Sequence, residues 1–380
     1  MHGGNIYSSK IKYDFSVNVN PLGIPKSAKK IAYKSIKNSF QYPDLESSEL
    51  KNLLAKKFNV NKNQICLGNG ASEILNVFIK STNLKNALLV APCFTSYAKI
   101  LKNSQINFEY LSLSEENNFI FDENFTQRIL VKLKSKKFDL LILTNPNNPN
   151  GKFTNINFIR QIAAECENQN IFFLLDECFI ELTFPKVQSF VSQINNSNKV
   201  LILRAFTKSF AIPGLRLGFS ISSEKISSKL EKNLPEWNIS LVAQKVGEAC
   251  LKQSLKYFLK TQKIICREKK YLISKLKNLP LKIFPSDANF ILFKLELEEN
   301  LPLKNSDFKN SSFRKLPKKS ALKNQNQKNL FEYLKDKKIL IRLCDDYESL
   351  SNKFFRIAIK NHHQNKILVK NLEDFFYAKN

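Results

Sequence analysis

Short apolar runs bounded by polar turns recur through the first two thirds of the chain, at residues 87–90, 140–143, 171–175, 200–203 and 217–221. Their hydrophobicity is continuous rather than alternating, which predicts strands buried on both faces, as in parallel sheets. Helical patterns lie between them. In residues 72–80 the positions Ile74, Leu75, Phe78 and Ile79 share one face, and residues 158–167 form another helical pattern. Strands alternating with helices predict an α/β domain with a mainly parallel central sheet.

The texture changes near Ser240. A long helix is expected from Leu241 to about Lys277, followed by a strand over 288–293, a helix near 330–334, and strands over 339–342 and 354–359. This pattern predicts a smaller α+β domain. The expected division is an N-terminal arm over residues 1–35 that packs with the small domain, a large domain over 36–245, and a small domain over 246–380. No internal repeat is visible.

A length of 380 residues accommodates this arrangement with a sizeable core. No run approaches the ~20 apolar residues of a membrane span, and Met1-His2-Gly3-Gly4-Asn5 lacks the apolar core of a signal peptide, so a cytoplasmic location is expected. The seven cysteines (Cys66, Cys93, Cys166, Cys178, Cys250, Cys266, Cys344) include no Cys-x-x-Cys pair, which predicts reduced thiols. With only His2, His362 and His363 as imidazoles, no metal site is expected.

The net charge of +27 raises the question of nucleic acid. The lysines, however, are spread along the chain among many Asn and Ile, a pattern equally expected from A/T-rich codons. The densest basic stretch, residues 309–328, carries few arginines or aromatics and reads as a solvated insertion. Nucleic acid is not an expected partner. A basic nucleic-acid-binding protein on an inactive enzyme fold remains the alternative from a different functional class.

Four motifs carry candidate chemistry. Residues 67–73, Leu-Gly-Asn-Gly-Ala-Ser-Glu, open a helix whose small residues and positive dipole end suit an anion, although alone they also read as an ordinary helix start. Residues 144–151, Thr-Asn-Pro-Asn-Asn-Pro-Asn-Gly, follow an apolar run at the end where open α/β sheets bind ligands; an Asx-rich turn is the plainer reading. Asp176 ends the third run, where a carboxylate is costly unless paired. Lys208 lies between two apolar runs, with Arg216 following. An ammonium there is costly too, and a lysine that must lose its proton to act as a nucleophile suits such a place.

Taken in order, these motifs resemble the fold-type I pyridoxal-phosphate enzymes of the class I/II aminotransferase superfamily. The resemblance implies pyridoxal 5′-phosphate as cofactor, with Lys208 as the Schiff-base lysine and Asp176 on the pyridine nitrogen. It implies Asn148 on the ring 3′-oxygen and Tyr97 stacked on the ring. The amides of Ala71 and Ser72, with Thr207 and Arg216, would bind the cofactor phosphate. Tyr42 is similar to a tyrosine that reaches the partner subunit's cofactor, which implies a homodimer.

Within the superfamily, His2-Gly3-Gly4, the segment from Asp14 through Asn18 to Gly23, and residues 234–240 resemble the L-threonine-O-3-phosphate decarboxylases. Phe179, where the aminotransferases carry tyrosine, points the same way. The implied reaction converts L-threonine O-3-phosphate to (R)-1-amino-2-propanol O-2-phosphate for the nucleotide loop of cobalamin. Histidinol-phosphate (or a related amino acid) aminotransferase is the runner-up. The resemblance implies Arg356 as carboxylate anchor, Arg342 with His2 at the substrate phosphate, and Gly3, Asn18 and Asn148 as further substrate contacts. Asn150, Ala205 and Glu236 depart from the family pattern.

Overall fold

The computed structural model describes residues 3–7, 10–296 and 328–377. Thirteen strands are present among them: β1 (Tyr13–Asp14), β2 (Ile65–Gly68), β3 (Asn86–Ala91), β4 (Asn107–Ser112), β5 (Leu140–Thr144), β6 (Phe172–Asp176), β7 (Val200–Ala205), β8 (Gly218–Ser222), β9 (Leu281–Ile283), β10 (Phe290–Leu295), β11 (Ile339–Leu340), β12 (Arg342–Leu343) and β13 (Phe354–Ala358). The first large sheet has the order β2-β8-β7-β6-β5-β3-β4. All its pairings are parallel except those of β8, which runs antiparallel to both β2 and β7. The five apolar runs of the sequence became β3, β5, β6, β7 and β8. Their continuous hydrophobicity follows from helices covering both faces.

Successive connections run one way from β5 to β7 and the other way from β3 to β4, so the order reverses between β3 and β5. In open α/β sheets the crevice at the carboxyl ends beside such a reversal is the usual ligand site. Tyr97, Asn148, Asp176 and Lys208 all follow the carboxyl ends of these central strands.

A second, four-stranded antiparallel sheet has the order β12-β13-β10-β9, and β1 pairs in parallel with β11. Its core joins Ile291, Phe293, Phe355 and Ile357 to Ile265, Leu272 and Leu276 of a long helix, and to Phe15 of the N-terminal arm.

The single helix expected from Leu241 to Lys277 is instead two, Leu241–Lys252 and Ser254–Leu276. At Gln253 the backbone leaves the helical well, with φ −119° and ψ 11°. The first helix buries Ala243, Val246 and Cys250 in the core of the large sheet, while the second buries Ile265, Leu272 and Leu276 in the other core. One straight helix does not serve both cores. The strand expected over 339–342 likewise divides, since β11 pairs with the arm and β12 with β13. No helix among the described residues is long and apolar enough to cross a membrane.

Candidate active site

A cavity of about 500 Å³ opens at the carboxyl ends of the central strands. Of the residues that the sequence singled out, Gly3, Asn18, Ala71, Ser72, Tyr97, Asn148, Asp176, Thr207, Lys208, Arg216, Arg342 and Arg356 all line it. His2 lies outside the described residues, as does most of the basic stretch over 309–328. Tyr42 stands away from this cavity, highly exposed, with its ring 4.8 Å from that of Trp237.

One end of the cavity is built for an anion. Gly70 caps the Ala71–Ser81 helix with φ 81°, a left-handed conformation that glycine adopts without strain. The first turn of a helix leaves its N–H groups without intrahelical partners, so Ala71 and Ser72 present donors there. Glycine is required behind them as well. A Cβ on Gly218 would lie 2.3 Å from the Ala71 nitrogen, and one on Gly70 would overlap the Arg216 guanidinium. Arg216 takes φ 51°, the left-handed region disfavoured for a side-chain-bearing residue, and this turn lays its guanidinium beside Gly70. Glu73 holds the loop together, accepting from the Asn69 N–H and from Asn238 Nδ2, both at 2.7 Å. Asn238 belongs to the tryptophan-containing stretch noted in the sequence.

At the opposite end, Asp176 Oδ1 accepts from the Cys178 N–H at 2.8 Å, and Oδ2 accepts from the Tyr97 hydroxyl at 2.6 Å. The Tyr97 hydroxyl also lies 3.2 Å from Thr144 Oγ1. Burial, and then the Asp176 charge, push the Tyr97 phenol well above its ordinary range, so it remains a donor. Tyr97 thus reaches the aspartate with its hydroxyl.

Lys208 sits in a short helical turn, residues Phe206–Ser209, directly after β7. Burial and the neighbouring Arg356 charge lower its pKa from 10.5 to about 8. Its turn is clasped by the N-terminal arm: the Asn20 N–H donates to the Lys208 carbonyl at 3.0 Å, and Asn20 Nδ2 donates to the Ser209 carbonyl at 2.9 Å.

The remaining wall comes from the small sheet. Arg342 and Arg356 are cross-strand partners on β12 and β13, both buried. Arg356 donates through Nη2 to the Ser16 carbonyl at 2.9 Å, and through Nη1 to Asn148 Oδ1 and to the Tyr347 hydroxyl. With Oδ1 engaged, Asn148 has its amide NH2 left for the cavity. The buried Arg356 Nε and Asn18 Oδ1 have no hydrogen-bond partner in the protein, which is costly unless a ligand completes them. Arg342 is already ion-paired, its Nη2 donating to both oxygens of Asp346 at 2.7 and 2.9 Å.

Sequence reasoning missed Tyr347, Ser16, Thr144 and Cys178. Tyr347 stands between the two arginines in the sequence, a position that offered a signal; Ser16 acts through its carbonyl, which offers none. Of the departures from the family pattern, Asn150 is fully buried and donates to the Phe119 carbonyl, so it serves the turn itself.

A phosphate cradle, a carboxylate across the cavity and a lysine of lowered pKa fit pyridoxal 5′-phosphate. The cavity is also within the size usual for cofactor pockets, roughly 300–1,000 Å³.

Comparison with known proteins agrees. The family described as aminotransferase class I and II matches residues 10–372. The chain is 31% identical to the adenosylcobalamin biosynthesis bifunctional protein CobDQ of Leptospira interrogans, covering 99% of this chain but 41% of that protein. It is 32% identical to a putative threonine-phosphate decarboxylase of Caldanaerobacter subterraneus, over 99% of this chain and 94% of the relative. Among solved structures, the histidinol-phosphate aminotransferase of Clostridium acetobutylicum superposes with a TM-score of 0.81 at 29% identity, covering 96% of this chain and 99% of the other.

Proposed function

We propose that this chain, which belongs to the aminotransferase class I and II family and uses pyridoxal 5′-phosphate as its cofactor, decarboxylates L-threonine O-3-phosphate. Its fold is that of the fold-type I pyridoxal-phosphate enzymes. One observation carries the substrate reading. Two buried arginines, Arg342 and Arg356, are cross-strand partners and line the same cavity as Lys208. Paired cations suit a short substrate with an anion at each end, a carboxylate and a phosphate. The names of the relatives from Leptospira and Caldanaerobacter support the same reading, and with it a place in cobalamin biosynthesis.

When bound, pyridoxal phosphate supplies an electron sink that stabilises negative charge at the substrate Cα. The chain's residues do the rest. The Ala71 and Ser72 N–H groups, Thr207 and Arg216 would hold the cofactor phosphate, and Asp176 would keep a proton on the ring nitrogen. Asn148 would donate its amide to the ring 3′-oxygen. Lys208, with its pKa near 8, is neutral often enough near pH 7.5 to act as a nucleophile, and it moves a proton at the substrate Cα. Arg356, with Asn18 and Asn148, would orient the carboxylate. Arg342, with Gly3 and His2, would bind the phosphate. Held in place by Arg356, Asn18 and Asn148, the substrate carboxylate would leave as CO2, and Lys208 would return a proton to Cα. Tyr42, exposed beside Trp237, would reach the cofactor of a second subunit in a cytoplasmic homodimer.

An aminotransferase is the second reading, favoured by the likeness to the Clostridium acetobutylicum structure. It would leave the carboxylate in place, with Lys208 removing the Cα proton instead. A paired assay decides. Holoenzyme with threonine phosphate should release CO2 and 1-amino-2-propanol phosphate. Glutamate formation from histidinol phosphate in the reverse direction, dependent on 2-oxoglutarate, would replace the decarboxylase assignment with the aminotransferase one.

A further inference from the structure

We propose that Asp346 sets the affinity of the phosphate subsite: its carboxylate shares the Arg342 guanidinium with the substrate phosphate and, as a like charge beside that phosphate, weakens its binding. The inference rests on the reading of Arg342 as the phosphate anchor.

Arg342 is 4% exposed and faces the cavity, yet its charge is already occupied on one side. Nη2 donates to both Asp346 oxygens, Nη1 donates to the Leu343 carbonyl, and the guanidinium lies 5.1 Å from the centre of the Tyr347 ring. Two of its three nitrogens are therefore committed within the protein, one of them to an anion. A guanidinium has five N–H donors in a fixed plane, so an arriving phosphate meets only those left over. It also comes close to a carboxylate in a site shielded from bulk water on the Arg342 side. Like charges so placed repel appreciably.

The pair has a structural benefit, since Asp346 neutralises a buried cation. Part of the hydrogen bonding to Arg342 survives without that charge. The Asp346 side chain is 33% exposed and also lines a second cavity beside Lys99, Lys102 and Glu348, so shortening or neutralising it leaves no dry void. An asparagine retains one of the two acceptor oxygens that face Arg342 Nη2 and removes the charge.

The sign of the effect separates this role from a structural one. In the Asp346→Asn holoenzyme, the KM for threonine phosphate and the inhibition constant of inorganic phosphate should each fall about tenfold. The inhibition constant of unphosphorylated threonine should move by less than about twofold. A purely structural residue would weaken all three when removed. Asp346→Ser provides a second variant should the asparagine fold poorly, and thermal melting identifies which variants are folded. A folded Asp346→Asn or Asp346→Ser enzyme whose phosphate inhibition is unchanged or weaker overturns the proposal. Arg342→Gln tests the foundation separately: it should weaken phosphate inhibition by roughly 100-fold. Should it leave phosphate inhibition untouched, the subsite itself lies elsewhere, and that failure is distinguishable from an error about Asp346 alone.

Discussion

Adding one methyl group behind the anion cradle should loosen the cofactor without replacing any residue proposed to contact it. The substitution is Gly218→Ala. Gly218 opens β8 and pairs with Gly68 of β2, so two glycines face each other where the strands meet the Ala71–Ser81 helix. The new Cβ would lie 2.3 Å from the Ala71 nitrogen, 2.7 Å from the Gly70 carbonyl carbon and 2.8 Å from the Ala71 Cα. All three are backbone atoms, so no side chain can rotate away. Real Cβ contacts begin near 3.0 Å, so the helix start must retreat by roughly 0.7 Å. Overpacking of this kind costs about 1–3 kcal/mol. If that cost falls on the seated position of the Ala71 and Ser72 amides, pyridoxal-phosphate affinity drops by roughly 5- to 150-fold. Titration of the apoenzyme with cofactor, followed by visible absorbance, measures the change. Gly214→Ala is the control: nothing lies within 4 Å of its added Cβ, and it should bind cofactor normally. A folded Gly218→Ala protein with wild-type cofactor affinity would falsify the placement of the phosphate at this helix start.

Other substitutions test the rest of the site. Lys208→Ala should lose the visible absorbance of covalently attached cofactor and all measurable turnover, and retained decarboxylation would remove Lys208 from the mechanism. The apoenzyme should gain stability as pH rises from about 8 towards 10.5. Folding lowers the pKa of Lys208, so between those values the unfolded chain binds more protons. The contribution is of the order of 3 kcal/mol, and urea denaturation should show Lys208→Ala losing that part of the slope. Arg204→Met should destabilise the protein by about 3–5 kcal/mol, because it removes the cation paired with the fully buried Glu177 and the half-buried Glu181. Arg204 Nη1 donates to Glu177 at 2.8 Å and Nη2 to Glu181, and Glu177 follows Asp176 directly. An unchanged denaturation midpoint would show that the network is dispensable.

The parts of the fold that could be read from sequence are those with one dominant driving force. β3, β5, β6 and β7 are almost wholly buried, so each carries an unbroken run of four or more apolar residues. β4, Asn107–Ser112, forms an edge and is only partly buried, and no apolar run announces it. The break at Gln253 was hidden because no proline or glycine marks it; two separate cores impose it. In the site, Asp176 and Lys208 stood out as charges at the ends of apolar runs. The Ser16 carbonyl that accepts from Arg356 had no side-chain signature, and the Arg342–Asp346 pair became visible only with the loop's geometry. The resemblance implied only a substrate phosphate as the partner of Arg342. Part of its charge is already answered within the chain.

The division of the cavity between early and late parts of the chain has a consequence for how the protein is made. Every residue proposed to hold the cofactor within one subunit lies between Ala71 and Arg216, inside the stretch that forms the first large sheet. The two proposed substrate arginines arrive on β12 and β13, after most of the chain has been synthesised. Domains tend to fold as they emerge, at about 5–20 residues per second. A ribosome-bound chain can therefore assemble its cofactor cradle seconds before either substrate arginine is in place. Order of synthesis would then let the cofactor seat itself in a chain that still lacks both anion anchors.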